Sequence, residues 1–67
     1  MLINVEEGEQ YTILWNKEKL IVTVIEIWVD LIKLYYPNYD ENVLIPKKIF
    51  KQALSNFEDC EVDLNYI

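Results

Sequence analysis

From residue 20 to residue 36 the chain runs almost unbroken through apolar side chains, interrupted only by Thr23, Glu26, Asp30 and Lys33. With Lys19 these polar positions are spaced 4, 3, 4 and 3. At about 100° per residue they form one stripe about 80° wide, the signature of an amphipathic helix over 17–36. Asn16 suits the cap and Glu18 the first turn, while Pro37 stops the helix and disfavours helical geometry at Tyr36. A rival reading is a strand over 20–25, because Ile21, Val22, Thr23, Val24 and Ile25 are all β-branched. That strand would pair with 11–15 and leave a shorter helix from about residue 26.

Around this segment the pattern alternates in period two. Residues 1–15 read as a hairpin: Ile3 and Val5, then Tyr11, Ile13 and Trp15, fall on one face. Gly8, the only glycine, stands where a turn wants positive φ. Residues 36–42 are a loop by their Pro, Asn and Asp content, and 43–45 a short extended piece. A second helix is predicted over 46–57, where Pro46 opens it and Ile49, Phe50, Ala53, Leu54 and Phe57 form its apolar stripe. Cys60, Val62, Leu64 and Tyr66 alternate as a closing strand. The expectation is a single α+β domain over 1–67, in order β-β-α-α-β. It has two layers, with a three-stranded antiparallel sheet and two helices on one face.

Sixty-seven residues leave little room for a core, and one cysteine with no histidine supplies neither a disulfide nor a structural zinc. The 52% hydrophobic content nevertheless excludes a disordered tail. No basic region followed by an apolar core opens the chain, so no signal peptide is expected. Glu26, Asp30 and Lys33 exclude 20–36 as a membrane span. A lone cysteine suits a reducing compartment, and a cytoplasmic location is expected.

The chemistry-bearing inventory is thin. Without histidine there is no ordinary general base at neutral pH, and Cys60 lies between Asp59 and Glu61, whose charges oppose thiolate formation. No glycine-rich loop cradles phosphate, and the 40–42 run lacks the spacing of a calcium loop. The chain is therefore read as a non-enzyme without cofactor or metal. A net charge of −6, with no arginine, argues against direct nucleic-acid binding, although Lys47, Lys48 and Lys51 cluster on the second helix.

Two features point to protein contacts. Glu58, Asp59, Glu61 and Asp63 form a run of four acids without a base, and Tyr36, Tyr39 and Asp40 surround a proline turn. Together they read as an acidic edge and tyrosine loop that bind a larger, basic protein. The alternative is a homodimer through the first helix, whose apolar arc of about 280° exceeds what one sheet face covers. Val22, Val29, Ile27 and Leu34 would then be the self-association residues. In size, acidity and composition the chain resembles the small host-takeover proteins of phages, anti-CRISPR and other inhibitors among them. The abundance of Ile, Lys, Asn and Tyr, with AT-rich codons, points the same way, to a low-GC bacterium or its mobile elements. The resemblance implies an inhibitor acting as a nucleic-acid mimic and transfers no individual residue.

Overall fold

The computed structural model describes residues 2–59 and 61–63, with only the backbone of Leu2, Glu61 and Asp63. Cys60 and residues 64–67, including the alternating Leu64 and Tyr66, lie outside the described residues. The elements are β1 (Leu2–Asn4), β2 (Gln10–Trp15), β3 (Glu18–Ile27), β4 (Leu31–Tyr36), β5 (Glu41–Pro46), α1 (Lys47–Glu58) and β6 (Glu61–Asp63). Strands β2 to β5 form a four-stranded antiparallel meander, and β1 pairs with β6 in a separate parallel ribbon. A three-stranded sheet with two helices is thus overturned: the meander has four strands and α1 is the single described helix.

The predicted first helix is a hairpin. Residues 18–27 and 31–36 are strands joined by a tight turn, and Tyr11 pairs with Val22 as in the rival reading. No shorter helix follows residue 26. The helical spacing has a β explanation. Lys19, Ile21 and Thr23 share the outward face by ordinary alternation. Glu26 is an odd step from Thr23 and belongs on the inward face. A register shift between Val24 and Glu26 inserts one residue, so Ile25 and Glu26 are both exposed and Ile27 returns to the core. Asp30 falls in the turn, and Lys33 resumes the outward face opposite Glu26. A bulge and a turn reproduce a 4-3-4-3 rhythm.

The inward face carries Ile13, Val22, Val24, Ile27, Ile32 and Leu34, all buried. Helix α1 lies against it with Phe50, Ala53 and Leu54, touching both sheet edges, β2 and β5. Val5 and Val62 close the core from the terminal ribbon. Tyr11 packs edge-on against Phe50 at 6.4 Å, while its hydroxyl accepts from the Glu6 N–H and donates to the Asn4 carbonyl. The first residues therefore form no hairpin with β2; they are pinned across it. Gly8 does turn with φ 89°, and just before it the Glu7 carboxylate accepts the Ile27 N–H at 2.9 Å. That bond supplies a partner to a backbone donor beside the bulge, past the start of β2.

The β2–β3 hairpin turns through Asn16 and Lys17, with φ 51° and 65°. Two consecutive positive φ values define a type I′ turn, for which Asn-Gly is the favoured pair. Lysine pays a Cβ clash there that glycine does not. Lys17→Gly is expected to raise stability by about 0.5–1 kcal/mol, a few degrees in melting temperature. Thermal denaturation followed by circular dichroism reads it directly, and a lowered midpoint would contradict the turn geometry.

Candidate functional site

Antiparallel strands β2 and β4 run in the same direction, so the turns that follow them lie at one end of the sheet. Each hairpin closes there on an aromatic residue opposite an acid: Trp15 with Glu18, and Tyr36 with Glu41. Both aromatics continue the inward alternation past the end of the helix-covered core. Trp15 is 41% exposed and Tyr36 half-buried. Together they line a shallow apolar cleft with Ile13, Ile45, Ile49 and Ala53. Tyr39, 61% exposed, packs edge-on against Tyr36 at 6.4 Å.

The loop bearing Tyr39 is held from the other side of the sheet. Asp40 sits in the left-handed region with φ 50°, and its carboxylate accepts the Tyr35 hydroxyl at 2.7 Å. A second bond runs from the Tyr39 N–H to the Tyr36 carbonyl. The bond to Asp40, then burial and the charge of Asp40, raise the Tyr35 phenol above its ordinary value. Burial first, then the charge of Glu41, does the same at Tyr36. A raised phenol keeps its proton to higher pH, so the Tyr35–Asp40 bond persists through neutrality and is lost as pH rises past the raised value. Asp40→Asn keeps a residue tolerant of positive φ but removes the charge. It is expected to lower the Tyr35 titration toward the ordinary value of 10.0, read by tyrosinate absorbance.

Helix α1 carries two further acids to this end. Its first N–H, at Lys47, donates to the Asp30 carbonyl in the turn between β3 and β4, at the opposite end of the sheet. Twelve residues span about 18 Å. In its last turn the Phe57 ring lies 5.7 Å from the Lys19 Nζ, beside the β2–β3 turn. Glu58 ends the helix and Asp59 caps it in the left-handed region, its N–H donating to the Ser55 carbonyl; both are exposed. No acid stands in the first turn and no base in the last. The side chains therefore add to the helix macrodipole rather than offset it, concentrating negative potential at the C-terminus.

Of the residues expected at a partner surface, Tyr36, Tyr39, Asp40, Glu58 and Asp59 thus lie toward one end of the molecule. Glu61 and Asp63 place their backbones in β6, paired with Leu2 and Asn4, and their side chains are outside the described residues. The expected self-association residues do not form one surface. Val22, Ile27 and Leu34 are buried under α1, and only Val29, 79% exposed in the turn, faces solvent. Without a helix over 17–36, the face proposed for dimerisation does not exist. Trp15 and Glu18 were not singled out from the sequence. Their signal was a tryptophan ending an alternating strand immediately before Asn-Lys.

Among the described residues no group of three or more His, Cys, Asp or Glu is placed to hold a metal ion, and no helix is long and apolar enough to cross a membrane. Compared with protein-family models, with curated proteins and with solved structures, the chain matches none.

Proposed function

We propose that this chain is a non-enzymatic binding protein that occludes a basic, nucleic-acid-handling surface of a larger protein in the cytoplasm. The observation that carries the reading is the paired aromatic and carboxylate closure of two neighbouring hairpins, Trp15 with Glu18 and Tyr36 with Glu41. Exposed aromatics on a strand-fixed frame lose little entropy on contact and make effective anchors. Carboxylates around them favour a lysine or arginine laid over the rings, where cation–π attraction and charge act together. The −6 net charge and the acidic helix C-terminus steer such a partner toward this end. Lys17 and Lys19 share the end and temper its charge without reversing it.

The test is capture of partners from a low-GC bacterial lysate by the tagged wild type and two variants, followed by salt elution. A basic protein retained by the wild type and released by salt is expected. Retention should fall about tenfold or more with Trp15→Ala combined with Tyr39→Ala. Glu58→Lys should weaken it too, while placing a cation favourably at the helix C-terminus, so weaker capture is not explained by a weaker fold. Equal retention by all three proteins would overturn the reading.

A further inference from the structure

Strand β5 is an edge of the meander, and one bond beyond its end shows which of its backbone groups are free. The Lys47 N–H donates to the Asp30 carbonyl at 2.9 Å, extending the β4–β5 ladder one pair past Leu31 and Pro46. Bonded and non-bonded pairs alternate in an antiparallel ladder, so Pro46, Leu44 and Asn42 all belong to non-bonded pairs. Their backbone groups face away from β4, where the missing N–H of proline costs nothing. No described group takes up the Asn42 or Leu44 N–H. Natural edges are blunted by charge or by a bulge, yet 42–45 is uncharged and pairs with β4 without a register shift.

The core is also unfinished on this side. Val22, Val24, Ile32 and Leu34 on β3 and β4 are fully buried. Val43 and Ile45, inward on β5, are only half-buried, as is Ile49, which shares the apolar cleft with Ile45. We infer that β5 pairs antiparallel with β5 of a second copy of this chain, about a two-fold axis at Leu44. The two meanders then form one continuous sheet.

The edge itself selects that occupant and its register. With Leu44 opposite Leu44, Val43 meets Ile45, Asn42 meets Pro46 and Glu41 meets Lys47, each twice by symmetry. The two Leu44 residues exchange both bonds, and each Asn42 N–H donates to a Pro46 carbonyl, the one backbone group that proline offers. Val43 and Ile45 cover each other's half-open inward side. Glu41 and Lys47 continue the same alternation, so acid faces base at both ends of the seam. Asp40 precedes Glu41 and Lys48 follows Lys47, which extends the match. Asp30, in the turn beside the lysines, offsets one of them, and the Asp40 carboxylate keeps its bond to Tyr35. The first turn of α1 holds no acid of its own, and the other copy brings one to it. Slipped by two residues, with Asn42 against Leu44, the pairing sets Glu41 against Ile45 and loses both ion pairs.

Sedimentation equilibrium of the untagged chain from about 1 µM to about 500 µM tests this, and the wild type is expected to pass from monomer to dimer. In the dimer the Leu44 amide should exchange about tenfold or more slower than in dilute solution, because only the second copy bonds it. Leu44→Pro removes an N–H that the monomer leaves unused, and is expected to stay folded and monomeric. Lys47→Glu places an acid at the helix N-terminus, which favours the fold, yet should weaken the dimer about tenfold or more. Adding Glu41→Lys to it reverses both ion pairs and should restore association. A wild type that remains monomeric overturns the inference and leaves the edge to another protein. So does a dimer in which the Leu44 amide stays unprotected, or one that Leu44→Pro forms as readily as the wild type. Trp15→Ala leaves the dimer intact, so this inference and the proposed function fail separately.

Discussion

Replacing Phe50 with alanine is expected to leave the chain unfolded at room temperature. Phe50 is fully buried, the largest side chain that α1 sends into the core, and it meets Tyr11 edge-on. Truncating a buried phenylalanine costs about 3–5 kcal/mol, through lost transfer energy and the cavity left behind. A single small core without disulfide or metal rarely supplies more than about 3–5 kcal/mol in total. The substitution therefore removes essentially all the margin. Phe50→Leu, which keeps most of the volume, is expected to cost about 1–1.5 kcal/mol and to remain folded. Urea denaturation followed by tryptophan fluorescence separates the two. A Phe50→Ala chain with the wild-type midpoint would mean that α1 does not cover the sheet as described.

The second large effect separates neighbouring residues. Val22→Lys is expected to abolish folding, whereas Ile21→Lys should change monomer stability by no more than about 0.5 kcal/mol. Val22 is fully buried on the inward face and pairs with Tyr11; Ile21 points outward beside Thr12. A helix over 17–36 reverses the order. Relative to a polar stripe at 19, 23, 26, 30 and 33, residue 21 would lie about 160° from the stripe centre, deepest in the apolar arc. Residue 22 would sit about 60° from the centre, at its margin. Dispersion of backbone amide resonances, measured for both variants at low micromolar concentration, decides between the two geometries. A folded Val22→Lys beside an unfolded Ile21→Lys would restore the helix.

That segment is also where the sequence was least legible. Period-two alternation is readable when the outward positions are polar and the parity is unbroken. Here Ile21 and Leu44 place apolar side chains outward, and the bulge between Val24 and Glu26 breaks the parity midway. Local propensity, five β-branched residues in a row, carried the right signal and was outweighed by a periodicity of mixed origin. Helix α1 was legible because nothing interrupts its stripe: residues 46–57 were expected and Lys47–Glu58 are helical, with Pro46 one place earlier, at the cap. The strand alternation of 11–15 was equally clear, but its partner was not. Local alternation says which way a side chain points and is silent on which strand lies alongside. The same holds for the candidate site. Tyr36, Tyr39 and Asp40 could be found from a proline turn crowded with aromatics. Trp15 and Glu18 join them only because a meander brings alternate turns to one end, which is a property of topology.

The terminal ribbon has a consequence for the order of assembly. Pairing Leu2 with Glu61 and Asn4 with Asp63 closes a ring through nearly the whole chain, whereas every pairing within the meander joins consecutive strands. Hairpins between neighbours close short loops and form in microseconds, but the ribbon must wait until both ends are delivered to one place. The meander and α1 therefore constitute the early-forming unit, and the ribbon is the last seam to close and the first to open. In native-state hydrogen exchange the amides of Ile3 and Val62 should exchange through a local opening well below the global unfolding energy, while those of Val22 and Leu34 exchange only with the whole. Any segment fused to either end would pull on that same seam.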